Sequence, residues 1–298
     1  MTTPTPLAAP LSAEEALPPV HRLAVIMNDM PGDAAALGSA GTFARAYGGT
    51  LNLLQVIALP TQYIRPWTVS AQQSVKQMIE DVRESAKVRA ESMRIRLETM
   101  GVAGDVYPIE VPVAEPADVA AIWARRCSLS VIARPYREPG DTSVVHAYFQ
   151  ALLFQSTRPV MLVPSDRPVS VMPSRALIAW TDTRESTRAV RDAIPILKRC
   201  TAVDLLIVDR EATLLESYEH AGTWIKDYLA NQGISVELID AVSSGRRTSA
   251  VILEEAVKRG ADLIVAGGYG HNRFREWALG GTTRELFLSS TIPVMFSH

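Results

Sequence analysis

The stretch Ala261-Asp-Leu-Ile-Val-Ala-Gly-Gly-Tyr-Gly-His271 decides how this chain is read. Its apolar core, Asp262 to Ala266, is short and is stopped by glycine, as expected for a strand buried in a parallel sheet. A glycine-rich connection follows, and then a helical segment from about Thr283 to Ser289. The same order occurs earlier in the chain. Ser130-Val-Ile-Ala-Arg-Pro-Tyr136 parallels Leu263-Ile-Val-Ala-Gly-Gly-Tyr269, and Thr157-Arg-Pro-Val-Met161 parallels Thr291-Ile-Pro-Val-Met295. Upstream, Val25-Ile-Met-Asn-Asp29 parallels Ile178-Ala-Trp-Thr-Asp182. The offset falls from 153 residues (25 to 178) to 133 (130 to 263), so the extra residues lie in the middle of the first half. A period this long indicates duplicated domains rather than a solenoid.

Working outward, each half alternates strand-like and helix-like segments. In the first half the strands are 23–27, 50–57, 106–111, 129–133 and 159–163, and the helices are 34–47, 70–100, one opening at Glu115-Pro116, and 143–156. In the second half the strands are 176–180, 203–208, 235–239, 262–266 and 293–296, with helices at 183–199, 214–231, 248–259 and 283–289. Alternation of this kind implies right-handed crossovers onto a parallel sheet. The expectation is α/β: two tandem, doubly wound, five-stranded Rossmann-like domains over 20–165 and 174–298. A Pro-rich linker at 166–173 joins them, and a flexible tail at 1–19 precedes them.

Composition narrows the functional classes. Thirty basic and 32 acidic residues among 298 leave a net charge of -2, which removes the electrostatic footprint of a general nucleic-acid binder. No apolar run approaches the roughly 18 residues of a membrane span. The first twenty residues hold five prolines and neither Lys nor Arg, unlike a secretory signal. Cys127 and Cys200 are far apart and offer neither a disulfide framework nor a metal pair. A cytoplasmic protein without nucleic-acid or membrane partners is expected. No P-loop, G-x-G-x-x-G after a first strand, G-x-S-x-G elbow, H-E-x-x-H or Cys-x-x-Cys is present, so no catalytic constellation is assigned.

The chemistry concentrates in Gly267-Gly-Tyr-Gly270 and Gly280-Gly-Thr-Thr-Arg-Glu285. These segments follow a strand and lead into a helix, the place where an α/β sheet binds ligands. Bare backbone and the free N–H groups of a helix start suit phosphate, and Thr282 and Glu285 have capping-box spacing. A glycine loop without a ligand is the alternative. In the first half Arg134, Pro135 and Arg137 replace the glycine run, and His146 and Ala147 stand opposite Gly280 and Gly281. Pro135 removes a donor, whereas Arg134 and Arg137 suit an anion.

The spacing Gly267-x2-Gly270-x9-Gly280 followed by a small residue resembles the nucleotide-binding signature of the universal stress protein family. The flanking 261–271 and the closing Ile292-Pro-Val-Met295 are similar to that family as well. The resemblance implies paired domains joined through their last strands, as an intrachain pseudo-dimer or also as a homodimer. It further implies an adenine nucleotide (ATP, ADP or AMP, with Mg accompanying it), a role in stress response or survival, and an unknown protein partner. Carried over, the binding positions are Thr181 or Asp182, Val208, Gly267, Gly270, Gly280, Gly281 and Thr282. Thr181 matches the family's Asp position, with Asp182 one place later, and Gly281 stands where the family has Ser or Thr. The rival expectation is a scaffold protein with a vestigial loop.

Overall fold

The computed structural model describes residues 20–59, 69–111, 115–135, 139–209, 222–269 and 281–298. The first half runs β1 (Arg22–Ile26), α1 (Asp33–Tyr47), β2 (Thr50–Ala58), α2 (Val69–Met100), β3 (Gly104–Val111), α3 (Pro116–Ala124), β4 (Leu129–Ala133), α4 (Pro139–Gln155) and β5 (Val160–Val163). The second runs β6 (Arg175–Trp180), α5 (Arg184–Leu197), β7 (Ala202–Val208), α6 (Thr223–Asn231), β8 (Glu237–Ala241), α7 (Thr248–Arg259), β9 (Leu263–Gly267), α8 (Gly281–Ser289) and β10 (Val294–Ser297). The ends of these elements follow local chemistry. Gly48 and Gly260 close α1 and α7 in the left-handed region, Pro116 enters the first turn of α3, and the Thr183 hydroxyl caps α5 by accepting from the Ser186 N–H.

All ten strands form one sheet, in the order β3-β2-β1-β4-β5-β10-β9-β6-β7-β8. Each half contributes a parallel five-stranded unit, and the two meet at the antiparallel pair β5–β10, with Met161 opposite Met295. The expected pseudo-dimer through the last strands is therefore present within one chain. It also disposes of two short apolar strands that would otherwise be open edges.

Helices cover both faces. On one, α1, α2, α5 and α6 pack over residues of the central strands such as Leu23, Val25, Ile178 and Val265. On the other, α3, α4, α7 and α8 pack over Ala24, Ile26, Leu177 and Ile264. Both apolar layers run without interruption across the joint. Phe149 of α4, fully buried, stands 5.0 Å from the Phe287 ring of α8 and 5.3 Å from the Phe296 ring of β10. On the opposite face the Tyr47 hydroxyl donates to the Pro195 carbonyl at 2.9 Å, and the Val169 N–H donates to the Ser39 hydroxyl at 2.9 Å.

At the rim formed by the strand starts in the second half, Asp204 is 1% exposed. Arg175 grips it with two 2.8 Å hydrogen bonds and Arg259 adds one of 3.2 Å. A buried carboxylate so fully partnered is a structural clamp, because removing its partners would strand a charge in the interior. The 32-residue α2 carries its charged residues outward in i, i+3 pairs, such as Glu84–Lys87 and Glu91–Arg94. This is the solvated face that its sequence predicts.

The joint yields a stability prediction. Phe149→Ala removes an aromatic ring seated against both halves and should cost about 3–5 kcal/mol. Denaturant unfolding of the variant should show a correspondingly lower midpoint. An unchanged midpoint would mean that the two halves do not depend on this contact.

Candidate functional site

In the second half the strand order β10-β9-β6-β7-β8 reverses at β6, between its partners β9 and β7. Ala179 pairs with Ala266, and Trp180 pairs with Ile207. The next residues, Thr181, Gly267 and Val208, therefore emerge side by side at one rim, at the switch point where α/β sheets open a crevice. Residues separated by more than 80 positions in sequence are brought together here. Thr181 and Asp182 are exposed and Val208 is half-buried. The Thr181 carbonyl accepts from the Thr183 N–H at 2.7 Å, a tight turn that turns the chain from β6 into α5. Gly281 opens α8 with no described residue within 4 Å of where a side chain would sit, and Thr282 follows it in the first turn. Gly270 and Gly280 lie outside the described residues, as do Arg137 and His271.

The glycines that are described have structural reasons of their own. A Cβ on Gly267 would stand 2.7 Å from the Ser186 backbone nitrogen and 2.9 Å from the Glu185 carbonyl carbon. The end of β9 thus touches the first turn of α5 backbone to backbone. A Cβ on Gly268 would stand 2.6 Å from Leu153 Cδ2, on α4 of the other half. Tyr269 adopts φ +59, costly for a bulky residue. Its N–H donates to the Thr283 hydroxyl at 3.2 Å, and its ring lies 4.9 Å from that of Phe154. Burial pushes the Tyr269 phenol up to about 12, against the opposing effect of Gln150. His298 Nδ1 donates to the Gly268 carbonyl at 2.9 Å, and its ring stands edge-on to Phe154 at 4.7 Å. The root of the glycine loop is accordingly built on the first half of the chain, a dependence that sequence alone did not signal.

One expectation changes in detail. Thr282 is not the cap of α8, because the helix already includes Gly281 and the Glu285 carboxylate reaches out to Arg247 instead of back to a capping box. Trp180 packs as expected, 5.3 Å and edge-on from Trp224 at the start of α6. Of the expected helix 214–231, the stretch before Gly222 lies outside the described residues.

Left-handed backbone recurs after strands in both halves: Asp209 after β7 and Tyr269 after β9 at this rim, and Asp29 after β1 at the opposite edge of the sheet, all have φ between 50 and 65. Side-chain and backbone bonds hold them there. The Asp209 carboxylate accepts from the Ser243 N–H at 2.8 Å, which lowers its pKa, and the Asp29 N–H donates to the Asp33 carboxylate at 2.9 Å.

The corresponding crevice of the first half lies beyond β1 and β4. It is lined by Asn28, Met30, Gly32, Asp33, Ala133 and Arg134, among others. A Cβ on Gly32 would lie 2.5 Å from Ala133 Cβ, so the loop after β1 closes directly onto the end of β4. Arg134 turns away to donate from Nη1 to the Leu288 carbonyl of α8 at 2.9 Å. Burial raises the Asp33 carboxyl to about 7, outweighing the backbone N–H groups of Met30, Asp29 and Asn28 that favour its charged form. Cys127 and Cys200 are pushed up to about 11 by burial, so both are protonated thiols at neutral pH and unreactive. Among the described residues no group of His, Cys, Asp and Glu is arranged to hold a metal ion, and no helix is long and apolar enough to cross a membrane.

Two predictions follow from this geometry. Gly267→Ala should lower the melting temperature with or without any ligand, whereas Gly281→Ala should leave it unchanged or slightly raised. Thermal denaturation of the pair checks this, and equal effects would remove the packing argument. For Asp33, the folded state retains the proton to higher pH than the unfolded chain. Its contribution to stability is complete below about pH 4 and is lost as pH rises through about 7. Melting temperature plotted against pH should fall over this window in the wild type relative to Asp33→Asn, and parallel curves would contradict it.

The fold and rim invite comparison with known proteins. Residues 172–298 match the model of the universal stress protein family. No curated protein matches the chain. Among solved structures, a universal stress protein from Archaeoglobus fulgidus DSM 4304 superposes with a TM-score of 0.70 at 16% identity, covering 93% of this chain and 95% of that one. A functionally unknown protein from Pseudomonas aeruginosa PAO1 superposes with a TM-score of 0.57 at 15% identity, covering 93% and 92%. At these identities the likeness is one of fold, and it extends over both halves. The second half of this chain, residues 172–298, is thus a universal stress protein family domain, joined to a first half built on the same plan.

Proposed function

We propose that the second half binds an adenine nucleotide in the crevice beyond β6, β7 and β9, and that the chain acts as a non-catalytic, nucleotide-responsive stress protein of the cytoplasm. The observation that carries this reading is the convergence of Thr181, Val208 and Gly267 at the switch point. Thr181 and Asp182 are placed to meet a ribose, and the backbone after Val208 to meet an adenine edge. Gly267, Gly270, Gly280, Gly281 and Thr282 supply the phosphate cradle, with the start of α8 adding its partial positive charge. Any Mg would arrive with the phosphates. In this reading the domains are 20–165 and 174–298, joined by 166–173 and preceded by a tail at 1–19. The first half is the structural or partner-binding half, its crevice closed by Gly32 against Ala133.

A second reading, a scaffold whose loop no longer holds a ligand, draws on one observation. Gly267 is required by its backbone contact with α5, so its presence does not by itself demand a phosphate.

Calorimetry and native mass spectrometry of the full chain with ATP, ADP and AMP separate the two. The expected result is one nucleotide per chain with micromolar affinity, about 8 kcal/mol. Gly281→Asp, placed where a side chain has open space, should weaken binding at least about tenfold by setting a like charge at the helix start. Absence of binding in the wild type would leave the scaffold reading, and two nucleotides per chain would overturn the assignment to one half.

A further inference from the structure

Where the two halves meet, three nitrogen-rich side chains gather on one face of α8. Arg134, just past β4, donates from Nη1 to the Leu288 carbonyl at 2.9 Å. His146, on α4, stands edge-on to the Phe287 ring at 5.5 Å. Arg284, one turn before Leu288 on α8, acts electrostatically on His146. Positions 284 and 287 are three residues apart and lie on the same helical face, and the Leu288 carbonyl follows one turn after Arg284. Burial, and then the nearby Arg284 charge, hold the His146 imidazole below its ordinary value.

Two polar atoms of this cluster, Arg134 Nε and His146 Nε2, are buried without a hydrogen-bond partner. Among the described residues, no carboxylate forms an ion pair with Arg134, His146 or Arg284. Leaving buried polar groups unmet is costly, and setting Arg134 and Arg284 together adds repulsion. Native structures seldom retain such a cost without something to answer it, an ion being one such answer. The chemistry that answers it is an oxygen-rich anion. Guanidinium groups offer planar, forked donors that fit phosphate oxygens, and the imidazole N–H adds a third donor.

We propose that Arg134, His146 and Arg284 form a phosphate-type oxyanion site spanning the two halves, separate from the crevice of the second half. Arg134 and His146 stand opposite Gly267 and Gly280 in the internal repeat, so the first half presents side-chain donors where the second presents bare backbone. The ligand is free phosphate or the phosphate group of a larger molecule. By engaging residues from both halves, it would fasten α4 to α8.

The test uses the full chain. The His146 ring proton signals, assigned by their loss in His146→Gln, are followed by NMR during titration with sodium phosphate at constant ionic strength set by chloride. A saturable shift is expected in the wild type, with affinity at least about tenfold weaker in Arg284→Gln, since a hydrogen bond to a charged group is worth about that factor. Arg284 is exposed, so this substitution leaves the fold intact. Phosphate should also raise the melting temperature of the wild type more than that of Arg284→Gln. A parallel titration with glycerol phosphate assigns the source: tighter binding of the ester points to a phosphorylated molecule, and equal or weaker binding to the free ion. A His146 signal that stays still at tens of millimolar phosphate, or equal affinity in wild type and Arg284→Gln, overturns the proposal. Phosphate bound only at the glycine loop would leave the His146 signal still and counts as that outcome.

Discussion

Three pairs of residues hold the two halves in one sheet: Val160–Phe296, Met161–Met295 and Leu162–Val294. Short, fully apolar strands cannot stand at an open edge without inviting other strands, and here each satisfies the other. Once β5 and β10 are paired antiparallel, the remaining strands follow in mirrored order, and the helices of each face fall into two continuous layers. The aromatic contacts of Phe149, the Arg134–Leu288 bond and the seat of Gly268 against Leu153 all depend on that register. The root of the proposed binding loop is therefore a property of the joint as much as of its own half.

Glycine does two kinds of work in this chain, and they are distinct in space. At Gly267 the absent side chain lets the end of β9 touch the first turn of α5, and at Gly32 it lets the loop after β1 touch the end of β4, each within its own half, a packing requirement. At Gly281 no described residue comes near, and nothing in the packing of the described residues demands glycine. A glycine there is consistent with room left for something outside the chain. The neighbouring rim is also where non-glycine residues accept left-handed backbone, at Asp209 and Tyr269. Strain tolerated beside open space is the physical pattern of a binding rim.

Much of this was readable from the sequence, and the physical reasons for the rest are specific. The alternating strands and the repeated Pro-Val-Met endings express local propensity and burial, which act within a few residues, so the two five-stranded units and their joining strands were legible. The helix expected from about Thr283 already includes Gly281, because capping-box spacing at Thr282 and Glu285 competes with a salt bridge to Arg247, a residue 38 positions away from Glu285. The role of Arg134 as a partner of the Leu288 carbonyl, and of Gly268 as a seat for Leu153, depends on contacts between halves that no local pattern encodes. The two glycines that complete the loop, Gly270 and Gly280, were legible as a spacing only.

The antiparallel joint has one more consequence, and it concerns inheritance rather than packing. In a dimer of identical subunits every substitution appears twice, once on each side of the two-fold axis, so the sides cannot diverge. Covalent tandem arrangement lifts that restriction. Arg134 appears once, and so does its counterpart Gly267. The pseudo-two-fold of the sheet is preserved while its two rims have become chemically different, one rich in side-chain donors and one in bare backbone. A fused pair of this kind is free to answer two different signals with a single folded unit.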